Sequence, residues 1–436
     1  MILIIGAGLA GLSTAYHLGG KDYHIYEKEG EVGGLCRSFK RDGFTFDYTG
    51  HLLHIRKDYT KKMLEKMLPQ KLKTHFRRAS VYSEGIFTPY PFQANMYRLP
   101  KEVIKECIIG FIEAKEGRER LQSLSSGNQN GMDNSFKDWI INTFGSGIAK
   151  HFMVPYNEKM WKTDLSELSS EWVDWSIPVP TLDEIIGGAL GLDNPHMGYS
   201  AQFLYPEQGG IEVLPKAFLT YVDNLHYNKT LTRINLKEKR AWFDDESSVK
   251  YDNLVSTIPL PELLEIIRDL PTSTADLKEG LRYVSVLDIN LGIDNDAISD
   301  QHWVYFPEPE IPFYRVGFYS NFSSVIVPPK KSSLYVEVSY LPDTPLNKTD
   351  ILEGIFDGLK KCGFIKSRDQ IIIENVLNIP YAYVIHDNFR RKNLPEIMGC
   401  LTRHNIFSIG RYGSWKYMSM EDVLLQGKEV AEAIHG

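Results

Sequence analysis

The feature that most restricts this chain is Gly6-Ala7-Gly8-Leu9-Ala10-Gly11, a GxGxxG set between an apolar run and an apolar-periodic run. Ile2-Leu3-Ile4-Ile5 reads as a short buried strand. Leu9, Leu12, Ala15 and Tyr16 recur at helical spacing from Leu9 to Leu18, and His24-Ile25-Tyr26 reads as a second strand. Strand, glycine turn, helix and strand within about 30 residues make a βαβ unit with a parallel sheet. Each glycine has its own reason. Gly6 permits the tight turn, Gly8 lets a pyrophosphate approach the backbone, and Gly11 lets helix pack closely on strand. The helix start offers free N–H groups and a positive partial charge. Glu27, 21 residues after Gly6, is placed to accept ribose hydroxyls.

A chain of 436 residues exceeds what one ordinary core holds, so two or three domains are expected. With 43% hydrophobic and 24% charged residues it is globular and not disordered. A net charge of −7 without a dense Lys/Arg run argues against a nucleic-acid partner. Helical patterns occupy Lys101 to Ala114 and Ser135 to Phe144. The Ser-, Asn- and Gly-rich stretch from Ser123 to Ser135 between them reads as a surface loop. Strand patterns follow at 230–234, 254–257, 284–291 and 333–340. The chain ends as strand, loop and helix from Ile406 to Ile434. Cys36, Cys107, Cys362 and Cys400 are scattered and read as reduced thiols. No apolar run approaches the roughly 20 residues that cross a bilayer, and 2–5 is too short for a signal-peptide core, so the expected location is cytoplasmic.

After Glu27 and Lys28 comes Gly33-Gly34-Leu35-Cys36-Arg37-Ser38. A glycine pair beyond the ribose acid, then Arg and Ser, resembles the FAD-dependent amine-oxidase superfamily, which includes protoporphyrinogen oxidases and UDP-galactopyranose mutases. The resemblance implies FAD rather than NAD as the bound cofactor. It implies an α/β fold: a Rossmann-like, GR2-type FAD-binding domain assembled from 1–75, 201–265 and 390–436. A mainly helical substrate subdomain spans 76–200, and an antiparallel-sheet substrate domain 266–389. By the same resemblance Leu231 lies against the adenine. Gly410, Arg411, Met420, Glu421 and Asp422 belong to the closing segment at the flavin and ribityl chain.

Several separated islands resemble the eukaryotic-type UDP-galactopyranose mutases, in order, over nearly the whole chain. Gly50-His51 resembles the histidine loop against the isoalloxazine. Pro89-Tyr90-Pro91-Phe92-Gln93 resembles the segment that holds the uracil, and Asn157 to Trp161 a stretch lining the nucleotide pocket. Trp303, Tyr305 and Arg315 follow, then Tyr383 and Tyr417. The resemblance implies that Tyr90, Gln93, Asn157, Trp161, Trp303 and Tyr305 bind substrate, and that Arg315, Tyr383 and Tyr417 hold the diphosphate. The residue types suit this: Arg gives a bidentate fork, and tyrosines give donors on rigid rings. Two departures stand out. Trp172 to Ser176 lacks the arginine that the mutases carry, and Phe322 stands for a tyrosine.

The implied activity is a pyranose–furanose interconversion of a UDP-sugar for surface glycan synthesis. In that family N5 of the reduced flavin attacks the anomeric carbon and displaces the nucleoside diphosphate. The flavin must be reduced, with NAD(P)H as a candidate donor, and His51 shapes its redox-sensitive side. Two other readings remain open: a true FAD oxidoreductase of the protoporphyrinogen-oxidase or amine-oxidase kind, and a flavin-binding scaffold in a glycan-assembly complex. No metal site is expected. The twelve histidines form no HExxH, and His51 and His54 lack a neighbouring carboxylate ligand. Oligomeric state is not legible.

Overall fold

The computed structural model describes residues 1–68, 72–124, 135–173, 177–192 and 201–435. A five-stranded parallel sheet runs in the order Ile406–Ser408, Asn253–Ser256, Ile2–Ile5, Tyr23–Tyr26, Leu225–His226. Ile2–Ile5 sits at its centre and is buried throughout, as parallel strands covered on both faces must be. The helix Leu9–Leu18 buries eight of its ten residues, because the sheet lies on one side and the closing helix Met420–His435 on another. Ser13 Oγ donates to the Leu424 carbonyl at 2.6 Å.

A seven-stranded sheet has the order Ile371–Val384, Tyr283–Ile293, Ser332–Tyr340, Arg315–Gly317, Trp303–Tyr305, Ala79–Ser83, Ile86–Pro89. Every pairing is antiparallel except that of Trp303–Tyr305 with Ala79–Ser83. The helices Lys101–Leu124, Phe136–Ile148 and Val154–Trp161 pack beside it. They share a core of Phe111, Phe136, Phe144, Phe152 and Trp161. Ser135 starts the second helix by accepting the N–H of Asp138. The first helix runs ten residues beyond Ala114, where the expectation ended. The expected loop at 123–135 falls largely outside the described residues. All four cysteines are buried and free. No described helix is long and apolar enough to cross a membrane.

The hairpin Ser38–Arg41 with Phe44–Asp47 carries the chain from the glycine loops to the cleft floor. Its last residue is wholly buried. Asp47 accepts from Ser38 Oγ at 2.6 Å, Tyr205 Oη at 2.6 Å and the Ile211 N–H at 3.0 Å. Burial still outweighs these donors and lifts its pKa to about 6. Asp47→Ala leaves three buried donors unpaired and is expected to cost about 3 kcal/mol in urea unfolding, with Asp47→Asn losing less than half of that. Equal losses for the two variants would show that shape, not hydrogen bonding, holds the hairpin.

Candidate active site

The turn between the first strand and helix has the form its glycines imply. Gly6 has φ +94°, and a Cβ on it would lie 2.1 Å from Thr257 Oγ1. A Cβ on Gly11 would lie 2.0 Å from the Gly6 carbonyl oxygen. Gly8 differs: a Cβ there would meet nothing nearer than 3.9 Å, so the protein itself does not require its bareness. The helix that follows has no side-chain cap and no acidic residue in its first turn, so its N–H groups are left for an anion. Gly33 donates to the Ala7 carbonyl at 2.9 Å and forms a bridge with Gly8, folding the second glycine pair over the first turn. Arg37 fixes that loop through Nε to the Gly34 carbonyl at 2.8 Å and lies over the Tyr48 ring.

Glu27 is buried, and its carboxylate accepts the N–H groups of Ala7 at 2.6 Å and Glu29 at 2.9 Å. A carboxylate has about four acceptor positions, so two remain for ribose hydroxyls. These features fit a dinucleotide: a bare glycine at the approach, an uncapped helix start, and a fixed acceptor one strand away.

From this turn a cleft of about 810 Å³ runs across to the antiparallel sheet. Of the residues expected at the cofactor, Gly6, Gly8, Leu9, Ala10, Glu27, Lys28, Gly33, Gly34, Leu35, Arg37, Gly50, His51, Leu231, Gly410, Arg411 and Met420 line it. Gly11 acts behind them as helix–strand contact. Tyr90, Trp303, Tyr305, Arg315, Tyr383 and Tyr417 form its far part.

At that far end Arg411 lies over three rings, 4.4 Å from the centroid of Tyr417, 5.5 Å from Tyr383 and 5.8 Å from Tyr412. Tyr383 and Tyr417 stack at 6.4 Å with their planes 10° apart. Tyr383 Oη is 3.2 Å from Tyr314 Oη. Burial pushes the Tyr383 phenol up to about 12 against the pull of Arg315, so it stays a hydroxyl donor. Arg411 thus belongs to the aromatic end as well as to the cofactor side, where the sequence placed it. Arg315 is engaged by Glu337 through Nε and, at 2.7 Å, through Nη2. Glu337 is only 1% exposed, so this is a buried bidentate pair that leaves Nη1 of Arg315 for a ligand.

Besides Gly11, five expected site residues do not reach the cleft lining. Glu421 accepts the N–H groups of Arg56 and Lys57 and Nε of Arg56, all at 2.9–3.0 Å. Asp422 pairs with Arg56 and caps Ser419. These contacts tie the end of the histidine loop to the closing helix. Asn157 donates to the Met153 carbonyl one turn back. Gln93 Nε2 donates to the Pro178 carbonyl. Trp161 is fully buried between Trp172 and Tyr383. A back-bond within its own helix holds Asn157, the distant Pro178 carbonyl holds Gln93, and aromatic packing encloses Trp161. Gln93 Oε1 and Trp161 Nε1 are nevertheless buried without a partner among the described residues. Of the segment lacking the family arginine, 174–176 lies outside the described residues. Phe322 packs on Phe203 and Tyr205.

His51 is held neutral. Burial first, then Arg411 and Arg315, bring its pKa down to about 4, against the Tyr48 and Thr49 carbonyls. Among the described residues no group of three candidate ligands gathers for a metal ion. Sequence reasoning missed Glu337, Tyr314 and Tyr335. The available signal was a single charge in the otherwise apolar strand Ser332–Tyr340.

The model of the flavin-containing amine oxidoreductases matches residues 9–435, and the chain belongs to that family. It is a member of the UDP-galactopyranose mutase-like kind. A crystal structure of reduced UDP-galactopyranose mutase superposes with a TM-score of 0.92 at 29% identity, covering 100% of this chain and 93% of that one. Putrescine oxidase bound to putrescine (TM-score 0.66, 16% identity, 100% and 98% covered) shares the fold. So does a fatty acid isomerase from P. acnes (0.67, 15%, 100% and 98%). The 4,4'-diapophytoene desaturase of Staphylococcus haemolyticus (strain JCSC1435) is 48% identical over 48 residues. That match spans 11% of this chain and 10% of the desaturase.

Two outcomes follow from this geometry. Glu421→Ala strands the backbone N–H groups of Arg56 and Lys57 and is expected to lower stability by about 3 kcal/mol in chemical denaturation. It should leave direct flavin contacts in place, so an equally large fall in flavin affinity at intact fold would return Glu421 to the cofactor site. His51 has a folded pKa near 4 against 6.5 unfolded. Between those values the unfolded chain binds a proton that the folded chain refuses. His51 therefore costs no stability above pH 6.5 and progressively more as pH falls toward 4. His51→Asn should flatten that part of the stability–pH curve, and a superimposable curve would count against a buried neutral imidazole.

Proposed function

We propose that this protein is an FAD-dependent sugar-nucleotide mutase that interconverts the pyranose and furanose forms of a UDP-sugar. The observation that carries the reading is the far end of the cleft. Arg315, Arg411, Tyr383 and Tyr417 gather beside Tyr90, Trp303 and Tyr305, across from the dinucleotide turn. Two guanidinium groups with adjacent phenols suit a diphosphate, and flat rings suit a base. An apolar or amine substrate needs neither cation. The full-length likeness to the reduced mutase supports the same reading.

A reduced flavin bound there supplies the nucleophile for the anomeric carbon. The chain's own residues do the rest. Nη1 of Arg315 and the Arg411 guanidinium hold the departing diphosphate, and Tyr383 and Tyr417 donate hydroxyls to its oxygens. Tyr90 and Tyr305, with ring centroids 5.0 Å apart, border the base. Neutral His51, beside the flavin, adds no charge that would repel the guanidiniums. The reaction leaves the flavin's oxidation state unchanged overall, and NAD(P)H is the proposed class of electron donor.

The test is anaerobic. Dithionite-reduced protein mixed with UDP-galactopyranose and a panel of UDP- and dTDP-sugars should give a chromatographic product of unchanged mass, absent with oxidised protein. Arg411→Lys keeps the charge and loses the planar fork, and should lower kcat/KM by roughly 100-fold, as losing about 3 kcal/mol of charge-assisted bonding does. No isomer from any sugar, together with flavin reduction by an amine or apolar substrate, would replace the mutase with an oxidoreductase.

A further inference from the structure

Four strands of the seven-stranded sheet each place one residue in a single cross-strand row. Tyr305 lies opposite Arg315, Arg315 opposite Glu337, and Glu337 opposite Asp288. Directly opposed residues share a face, with Cβ atoms about 5 Å apart. The row therefore sets two carboxyl groups side by side in the interior, with one guanidinium beyond Glu337 on the side away from Asp288. Arg315 gives both Nε and Nη2 to Glu337. Asp288 is fully enclosed and ion-paired with no cation among the described residues.

The hydrogen bonds of Asp288 are one-sided. Oδ2 accepts the Thr49 N–H at 3.2 Å and Asn290 Nδ2 at 2.8 Å. Oδ1 has no partner among the described residues. An ionised carboxylate with a bare buried oxygen, facing a second carboxylate, is the most costly arrangement of these groups. A proton on Oδ1 removes the charge and leaves Oδ2 to accept both bonds.

Thr49 is where this matters. It has φ +67°, a left-handed conformation that a β-branched residue adopts only under constraint. Its N–H goes to Asp288, and its carbonyl accepts from Tyr319 Oη at 3.3 Å. The next residue, Gly50, presses on Tyr335, where a Cβ would lie 2.0 Å from Oη. Thr49, Gly50 and His51 all line the cleft.

We propose that Asp288 is a neutral carboxylic acid and a positioning residue, holding Thr49 in its strained backbone so that Gly50 and His51 are seated against the flavin. Burial and then Glu337 raise its pKa well above the usual carboxylate range. The Thr49 N–H, Asn290 and Arg315 pull the other way and do not prevail. The groups facing it are Glu337 and Arg315 across the sheet, Asn290 on its own strand, Thr49 in the loop, and Tyr319 and Tyr335 beside them. From the opposite neighbour strand it faces only Leu377. The seating role rests on a flavin occupying the cleft; the protonation state does not.

Infrared spectra of the holoprotein, wild type against Asp288→Asn, test the acid itself. A carboxylic C=O band is expected in the wild type, shifted in D2O, constant from mildly acid to mildly alkaline pH, and missing in Asp288→Asn. Flavin retention after reconstitution of the apoprotein tests the positioning. Asp288→Asn, which keeps the acceptor and the neutral charge, should retain flavin as the wild type does. Asp288→Leu, of similar size without an acceptor, should raise the flavin Kd about tenfold, the worth of one buried hydrogen bond. No such band in the wild type overturns the proposal, as does Asp288→Asn weakening retention as far as Asp288→Leu. If Asp288→Leu does not fold, the band and Asp288→Asn still decide. A wild type that shows the band but holds no flavin would refute the cofactor reading and the seating role, leaving the neutral acid.

Discussion

Everything at the cofactor end depends on one close approach, the first helix resting on the carbonyl of Gly6 at Gly11. A Cβ at that point would stand 2.0 Å from the oxygen, well inside any tolerable contact. Because the helix can come that near, its open N-terminus falls in line with the strand end, and Gly8 is left facing the cleft. Gly33 then folds back onto Ala7 and Gly8, and Glu27 clasps the Ala7 N–H from the next strand. Each contact uses backbone, so side-chain variation elsewhere disturbs it little. The closing helix completes the unit by lying on Ala10 and Ser13, where a Cβ at Gly427 would again crowd the neighbours.

The opposite wall works by charge. Arg315 and Glu337 form a buried pair, and such pairs often add little stability, since desolvation offsets attraction. Their value here is in geometry. The bidentate contact fixes the plane of the guanidinium and aims one edge, while the net charge of the pair is zero. Arg411 then supplies the wall's uncompensated positive charge, held by rings and by the carbonyls of Met418 and Ala382 rather than by a carboxylate. A site built this way separates orientation, from Arg315, and attraction, from Arg411.

The sequence was most legible where backbone geometry dictates residue type. Positions 2–27 read correctly as strand, glycine turn, helix and strand, because Gly6 and Gly11 tolerate no other side chain and the apolar period is clear. The buried strands at 283–293 and 332–340 were also legible as runs. What they carry was not. Asp288 and Glu337 are each the single charged residue of a buried strand, and only register, set by turns and partner strands far along the chain, makes them neighbours. Glu421 and Asp422 show the opposite case. A motif suggested the cofactor, while Arg56, 365 positions away along the chain, took both carboxylates. The amides of Asn157 and Gln93 are taken by backbone carbonyls, the first one turn back in the same helix and the second 85 positions away at Pro178.

The row from Tyr305 to Asp288 links these two kinds of order. Its Arg315 end faces the part of the cleft lined by Tyr383, Tyr417 and Arg411, and its Asp288 end holds the Thr49 N–H of the histidine loop. Sheet pairing holds the two ends at fixed separation, so neither can shift without breaking strand register. The proposed mutase reaction, which must bring an anomeric carbon to a flavin while a diphosphate departs, needs that separation constant. In this chain it is set by three strand pairings, those of Trp303–Tyr305, Arg315–Gly317, Ser332–Tyr340 and Tyr283–Ile293 in succession, and by no hinge within the row. Adjustment to a ligand is left to the rings and to the loop at Thr49, whose strained backbone is the part of this wall with energy to release.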